Sequence, residues 1–464
     1  MASETQTAAT GAAQPARTRR LLDEPIGPTL TRLAAPNVVV SAAQMAVGVA
    51  DAWYVGYLGV APLAALALVF PVQSLMTMMS AGAMGGGVSS AMARALGAGD
   101  RERAEGIALH ALIIAAGMAA LFTILFALFA RPLFALLGGR EAALDGAVAY
   151  ARIMFGGAIV VWAANTLASL LRGTGNMAVP GAVFTLTAIL NVALSGALTL
   201  GWWGLPKLGV GGPAWAAIVS FLIAALAMLA YLAAGRGGVR LRLFDVKLEA
   251  AVFLDILKVG IVACGNALLT IATIVIVTGL VGLYGTAALA GYGLGSRLEL
   301  LLIPITFSVG GAMTAMVGAN RGAKAHARVR RIGWTGGLAV FVITGIIGLT
   351  VAIAPDVWIG LFTADAQAAA VARRYLAIAG PFFAFFGLGQ ALYFATQGTG
   401  NMVAPFTAGC ARLLVAGGGG AIVVLALGLP LVWLFACVAA GFVVFGALLA
   451  YAVWRGRTWN PDRS

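Results

Sequence analysis

Charge is what this chain has least of. Asp, Glu, Lys and Arg make up 10% of its 464 residues, where a soluble protein averages about 25%. With 61% hydrophobic residues besides, an ordinary soluble globule is excluded and a polytopic membrane protein is expected. There are only two histidines and three cysteines. Cys264, Cys410 and Cys437 all lie within apolar runs, so they read as small buried residues and not as a disulfide framework or metal site. No HExxH, P-loop or CxxC pattern occurs. An integral-membrane enzyme needs clustered His, Asp or Cys, so the expectation is a protein that is not an enzyme and uses no cofactor. Residues 1–20 are polar and lack the apolar core of a cleaved signal. They are expected to form a disordered cytoplasmic tail.

What is present is glycine (62 residues), as expected where helices pack closely through small side chains, and long apolar runs. Breakers divide these runs into twelve spans, at about 31–57, 61–95, 105–130, 145–171, 177–200, 211–234, 251–281, 286–318, 332–354, 368–396, 402–427 and 430–454. The net charge of +13 does not indicate nucleic acid, because the basic residues are spread through short loops between the spans. Of the 29 Lys and Arg, 21 fall on one side, 6 on the other and 2 within spans. That bias places both termini in the cytoplasm. It predicts a multi-pass protein of the cell inner (plasma) membrane, expected as a monomer whose partners are the bilayer and small molecules.

The chain repeats itself. GTGNM stands at 173–177 and again at 398–402, an offset of 225. Pro180 and Pro405, Gly97 and Gly322, Tyr150 and Tyr375, and Gly85-Gly86 and Gly310-Gly311 keep that offset. Nearer the start it is 226: Gly59, Ala61, Leu63 and Ala64 match Gly285, Ala287, Leu289 and Ala290. Six spans per copy make the copies parallel, related by an axis along the membrane normal. The predicted fold is an all-α membrane protein: twelve transmembrane helices in two six-helix bundles related by a pseudo-twofold along the membrane normal. Its parts are a tail at 1–30, a first lobe at 31–234, a linker at 235–250, a second lobe at 251–454 and a tail at 455–464.

A few polar residues interrupt the spans. Asp51 is the acid of the first. Helical spacing puts Ser41, Gln44, Gly48 and Asp51 on one face, while Val39, Met45 and Ala46 point elsewhere. An ionisable residue inside a span is expensive and marks an ion or substrate path by default. At the repeat position the second lobe has Val277, so a lobe does not need this acid. Gln73 corresponds to Glu299, which has Arg297 two residues before it. An i,i+2 pair does not share a face, so Arg297 is expected to meet another helix or to snorkel. Arg412 is expected to pair with Glu299 or to bind backbone carbonyls, in a network that is structural or functional. Pro36 and the glycines at 85–87 and 417–420 are read as aids to bending or close packing. Trp53, Tyr54, Trp162, Trp202 and Trp203 are read as a cation site or, for most of them, an interfacial belt.

These residues resemble the multidrug and toxic compound extrusion (MATE) family. The resemblance runs from Leu33 to Trp454. It rests on LAAP at 33–36, ADAWYVGYLG at 50–59, ARALGAGDRERAE at 93–105, LRGTGN at 171–176, LGVGGPAWAAIVS at 208–220 and YGTAALAGYGLGSRLE at 284–299. It implies an antiporter that exports organic, cationic compounds against a proton or sodium gradient. Asp51 matches the family's first-helix coupling acid, and Asn191 an asparagine near it. Ser195 stands where an acid commonly follows that asparagine, and Ala217 where a threonine is common. Asn266 stands at another branch's glutamate, and Phe386 near its aspartate. The carboxylates suited to sodium are thinned, which favours protons, with sodium left open. A carboxyl group withdrawn from water holds a proton more readily, so Asp51, with Gln44, Asn191 and Ser195, is the expected coupling site. Glu299, Arg297, Arg412 and Asn266 are the expected second-lobe network. A lipid-linked oligosaccharide flippase of the same superfamily is the rival reading.

Overall fold

Helices that cross hydrocarbon satisfy every backbone group internally, and apolar runs of about 20 residues suffice for the crossing. The computed structural model describes residues 16–239, 247–363 and 365–456. Among these there is no β-strand. The first lobe holds α1 (Ile26–Gly56), α2 (Val60–Gly97), α3 (Arg101–Leu136), α4 (Glu141–Gly156 with Ala158–Gly173), α5 (Ala178–Leu200) and α6 (Gly211–Ala233). The second holds α7 (Ala250–Gly282), α8 (Thr286–Gly322), α9 (His326–Ile353), α10 (Ala366–Thr399), α11 (Val403–Ala426) and α12 (Leu431–Arg455). The architecture is the expected one of two six-helix bundles. Residues 1–15, 240–246 and 457–464, which include half of the first tail, most of the last and part of the linker, lie outside the described residues.

Lipid offers no hydrophobic drive between helices, so the lobes are held by close packing. In the first, Phe126 and Phe155 stack at 3.8 Å between ring centres, with Phe122 and Trp162 beside them. Trp162 is fully buried, so it belongs to the packing core and not to an interfacial belt. Trp53 and Trp203 are exposed, and Tyr54 is buried edge-on against Trp202.

The change of repeat offset from 226 to 225 has a structural counterpart. Between Gly59 and Gly85 the first lobe has one residue more than the second lobe has between Gly285 and Gly310. In α2 the segment Met78–Met84 is π-helical, whereas α8 is α-helical throughout. A π-bulge is what one inserted residue makes of an α-helix. α11 also contains π-helical stretches, Leu414–Gly419 and Ile422–Ala426, in the glycine run. α4 bends by 49° at Gly157, and α10 has a tight turn at the same repeat position, Gly380–Phe382.

The expected tail is helical from Ala16 onward. A short helix, Ala16–Asp23, precedes α1, which starts at Ile26 rather than near residue 31. Leu21 of the short helix is buried, and its carbonyl accepts from Asn320 Nδ2 at 2.9 Å. Arg328 donates to the carbonyl of Glu24. The segment is therefore a brace across the two lobes. His110, one of the two histidines, is buried. It lies inside α3, where Nδ1 bonds the Gly106 carbonyl at 2.8 Å and Nε2 accepts from the Glu249 N–H at 2.9 Å.

Between the lobes, Ser41 Oγ meets Ser308 Oγ at 3.3 Å at mid-span, and further contacts lie toward the end nearest the termini. Ser90 Oγ donates to Gln397 O at 2.6 Å. Asp255 pairs with Arg94 at 2.9 Å and Arg103 at 3.1 Å. The repeat glycines supply the closest approach: a Cβ on Gly97 would lie 2.0 Å from Ala319 O, and one on Gly322 would lie 2.1 Å from Arg94 O. Residues 97 and 94 are the repeat mates of 322 and 319, so the seal itself obeys the pseudo-twofold. Overpacking of this kind costs about 1–3 kcal/mol, so Gly97→Val is expected to shift closure of this end about tenfold toward open. A cysteine introduced by Ser90→Cys, protected in the parent, then reacts with a thiol reagent supplied from this end. Unchanged protection would show that the glycine contact does not hold the seal.

Candidate functional site

Asp51 sits in the last two turns of α1 and faces α5. Ser195 Oγ donates to its Oδ1 at 2.5 Å. Ser195 is fully buried, and Asn191, one turn earlier, is buried with Oδ1 unpartnered. The buried Tyr150 hydroxyl donates to Gln73 Oε1 at 3.0 Å nearby. The cluster thus holds one carboxylate among neutral polar groups. Of the residues expected with Asp51, the structure brings Ser195 into contact with it, and Asn191 stands one turn from Ser195 on α5. Gln44 lies two turns away and lines a different space.

That space is a cavity between the lobes, with an empty volume of about 1090 Å³ counted to where it opens on solvent. It is walled by α1, α2, α4, α5, α7, α8 and α10. Its polar groups include Asn37, Gln44, Asn165, Asn266 and Arg172. Among the described residues no Asp or Glu stands on its wall. Asn266 is therefore a cavity residue and not part of a second-lobe ion network.

That network reduces to a tight pair. Arg412 Nη2 meets Glu299 Oε1 at 2.8 Å, and the Tyr375 hydroxyl donates to Glu299 Oε2 at 3.3 Å. The Arg412 guanidinium lies 5.0 Å from the Phe386 ring centre and 5.3 Å from that of Phe442. Tyr375 with Glu299 is the repeat image of Tyr150 with Gln73. Arg297 takes no part: it is exposed and points away from Glu299.

Arg172 and Asp255 were missed by sequence reasoning because each looks like a loop-end charge. One signal for Arg172 was available. It is the residue just before the repeated GTGNM, and its mate is the neutral Gln397.

Comparison with known proteins agrees with this architecture. The MatE family model matches residues 36–195 and 262–417, one stretch per lobe and more than half of the chain. The probable multidrug resistance protein YoeA of Bacillus subtilis is 25% identical over 355 residues, 75% of this chain and 76% of that protein. The FAD transporter of Shewanella oneidensis is 27% identical over 312 residues, 67% of this chain and 69% of that protein. A solved MOP superfamily transporter from Pyrococcus furiosus superposes with a TM-score of 0.88 at 24% identity, covering 96% of this chain and 98% of that one. With a two-lobed fold, a cavity at the lobe interface and a family match in both repeats, the chain belongs to the MATE family of membrane transporters.

Proposed function

We propose that this chain is a proton-coupled antiporter that exports organic compounds by alternating access, with Asp51 as the proton carrier. The observation that carries the reading is the Ser195–Asp51 hydrogen bond of 2.5 Å. It holds a solitary carboxylate in the first lobe where the second lobe has Val277 and Gly420. A lone acid beside neutral donors suits a proton better than sodium, which needs several oxygen ligands. The cavity between the lobes, with the glycine contact closing the bundle toward the termini, gives the cargo a chamber served by one side at a time. Charge is not fixed by membership: the relatives' names include both a multidrug resistance protein and an FAD transporter. The test is uptake of a substrate panel into inverted vesicles under imposed proton or sodium gradients. Uptake that follows sodium alone would overturn proton coupling.

The same proposal places the protein in the inner membrane with both termini in the cytoplasm. Cysteines placed at Ala8 and near Asp462, positions outside the described residues, are expected to resist an impermeant thiol reagent in intact cells carrying no native cysteine. Labelling of both from outside would reverse the orientation.

A further inference from the structure

We propose that Arg172 makes the floor of the central cavity a site for an organic anion, a ring-bearing compound with a phosphate or carboxylate. This rests on the reading of the cavity as the cargo chamber. Arg172 stands at the end of the second segment of α4 and is 6% exposed. Its Nε has no partner, and its guanidinium makes no hydrogen bond or ion pair among the described residues. Its one notable neighbour is the Phe307 ring of the other lobe, 5.7 Å away. A buried charge is costly unless it is paired. The chain obeys that rule elsewhere: Arg412 has Glu299, and Arg94 has Asp255. At Arg172 the place of the counter-ion is taken by the cavity.

The fold does not require the charge. The repeat mate Gln397 is neutral, and its Nε2 is satisfied by the carbonyls of Gly82 at 3.1 Å and Ala83 at 3.3 Å. Asp51 does not compensate Arg172, since it is engaged by Ser195 and does not line the cavity. Phe184, Phe307, Tyr393 and Phe394 line the same space and offer ring faces to the body of an aromatic ligand. A guanidinium fork matches phosphate and carboxylate geometry. Farther toward the open end, Arg297 lies on the face of α8 that carries Pro304, seven residues on.

Flavin mononucleotide and riboflavin share one fluorescent ring system and differ by a phosphate, so they separate charge from shape. Binding to the purified full chain in detergent is measured without any gradient. The parent is expected to bind flavin mononucleotide about tenfold more tightly than riboflavin, a difference of one well-placed charge-assisted contact. Inorganic pyrophosphate should compete with it, and the cation ethidium should bind more weakly. Arg172→Gln, the repeat mate's residue, should bring the preference to about one. Arg172→Lys should retain part of it. Both variants should melt no lower than the parent, because no partner is left unpaired. The proposal is overturned if flavin mononucleotide fails to bind the parent, if it binds no tighter than riboflavin, if ethidium binds more tightly, or if the preference survives Arg172→Gln. Since no gradient is used, a failure of proton-driven transport with the preference intact counts against the coupling reading alone.

Discussion

Arg412→Met is expected to melt well below the parent protein, by about 3–5 kcal/mol of stability, the usual cost of removing one member of a buried ion pair. Glu299 is then left with the Tyr375 hydroxyl as its hydrogen-bond partner among the described residues, in a site walled by Phe386 and Phe442. The double variant Glu299→Gln with Arg412→Met is expected to recover most of the loss. The first lobe is the argument for that recovery. At the same repeat positions it has Gln73, hydrogen-bonded to Tyr150 at 3.0 Å, and Thr187, and it packs without an ion pair. Replacing a buried pair with neutral groups of similar volume is often close to neutral in energy. The measurement is thermal unfolding in detergent for the parent, both single variants and the double variant. If the double variant is no more stable than Arg412→Met alone, the pair does more than neutralise itself. If Arg412→Met melts with the parent, the pair contributes nothing.

The same repeat explains how much of the molecule was legible in its sequence. Twelve spans and their pairing followed from apolar runs and from matches at a constant offset, because lipid admits few alternatives to a helix. Several spans come out longer than their apolar runs. α3 begins at Arg101 and α9 at His326, since helix continues into water where hydropathy no longer reports it. The polar residues before α1 were read as a tail because their burial is tertiary: Leu21 lies against Gly175 of the first lobe and is held by Asn320 of the second, which no local pattern records. The one-residue shift in offset was visible, but only coordinates show it as the π-helical turn at Met78–Met84. At the sites, Asp51 was legible because an acid in a span is costly, and Ser195 and Asn191 because of a resemblance. Gln44 shares the acid's helix face and still lines another space, since spacing alone does not say what stands opposite. Arg172 was hidden by its place at a helix end, where a basic residue is commonplace. Its isolation depends on what is absent from the neighbouring helices among the described residues.

Asp51→Asn is expected to reduce proton-driven uptake into inverted vesicles to the level of empty vesicles while leaving the protein folded and inserted. The shapes of the two side chains nearly coincide, and the amide oxygen can still accept the Ser195 hydroxyl that donates at 2.5 Å in the parent. The loss is that of a charge-assisted bond relative to a neutral one, about 1 kcal/mol, too little to unfold a twelve-helix protein. The second lobe makes the same point by construction, because Val277 occupies the matching position and is buried without an acid. What the amide cannot do is take up and give off a proton. A gradient drives a conformational cycle only through a group whose binding differs between the two states, and the cluster of Asp51, Ser195, Asn191, Tyr150 and Gln73 contains one such carboxylate. Passive binding of cargo in the central cavity should survive, since Asp51 is not on its wall. The comparison requires equal protein level and the same fluorescent substrate for parent and variant. Uptake by the variant that still follows the proton gradient would move coupling elsewhere, first to Glu299, a carboxylate buried within a membrane span with polar partners. Uptake by the variant that follows sodium instead would retain the antiporter and remove the proton from its mechanism.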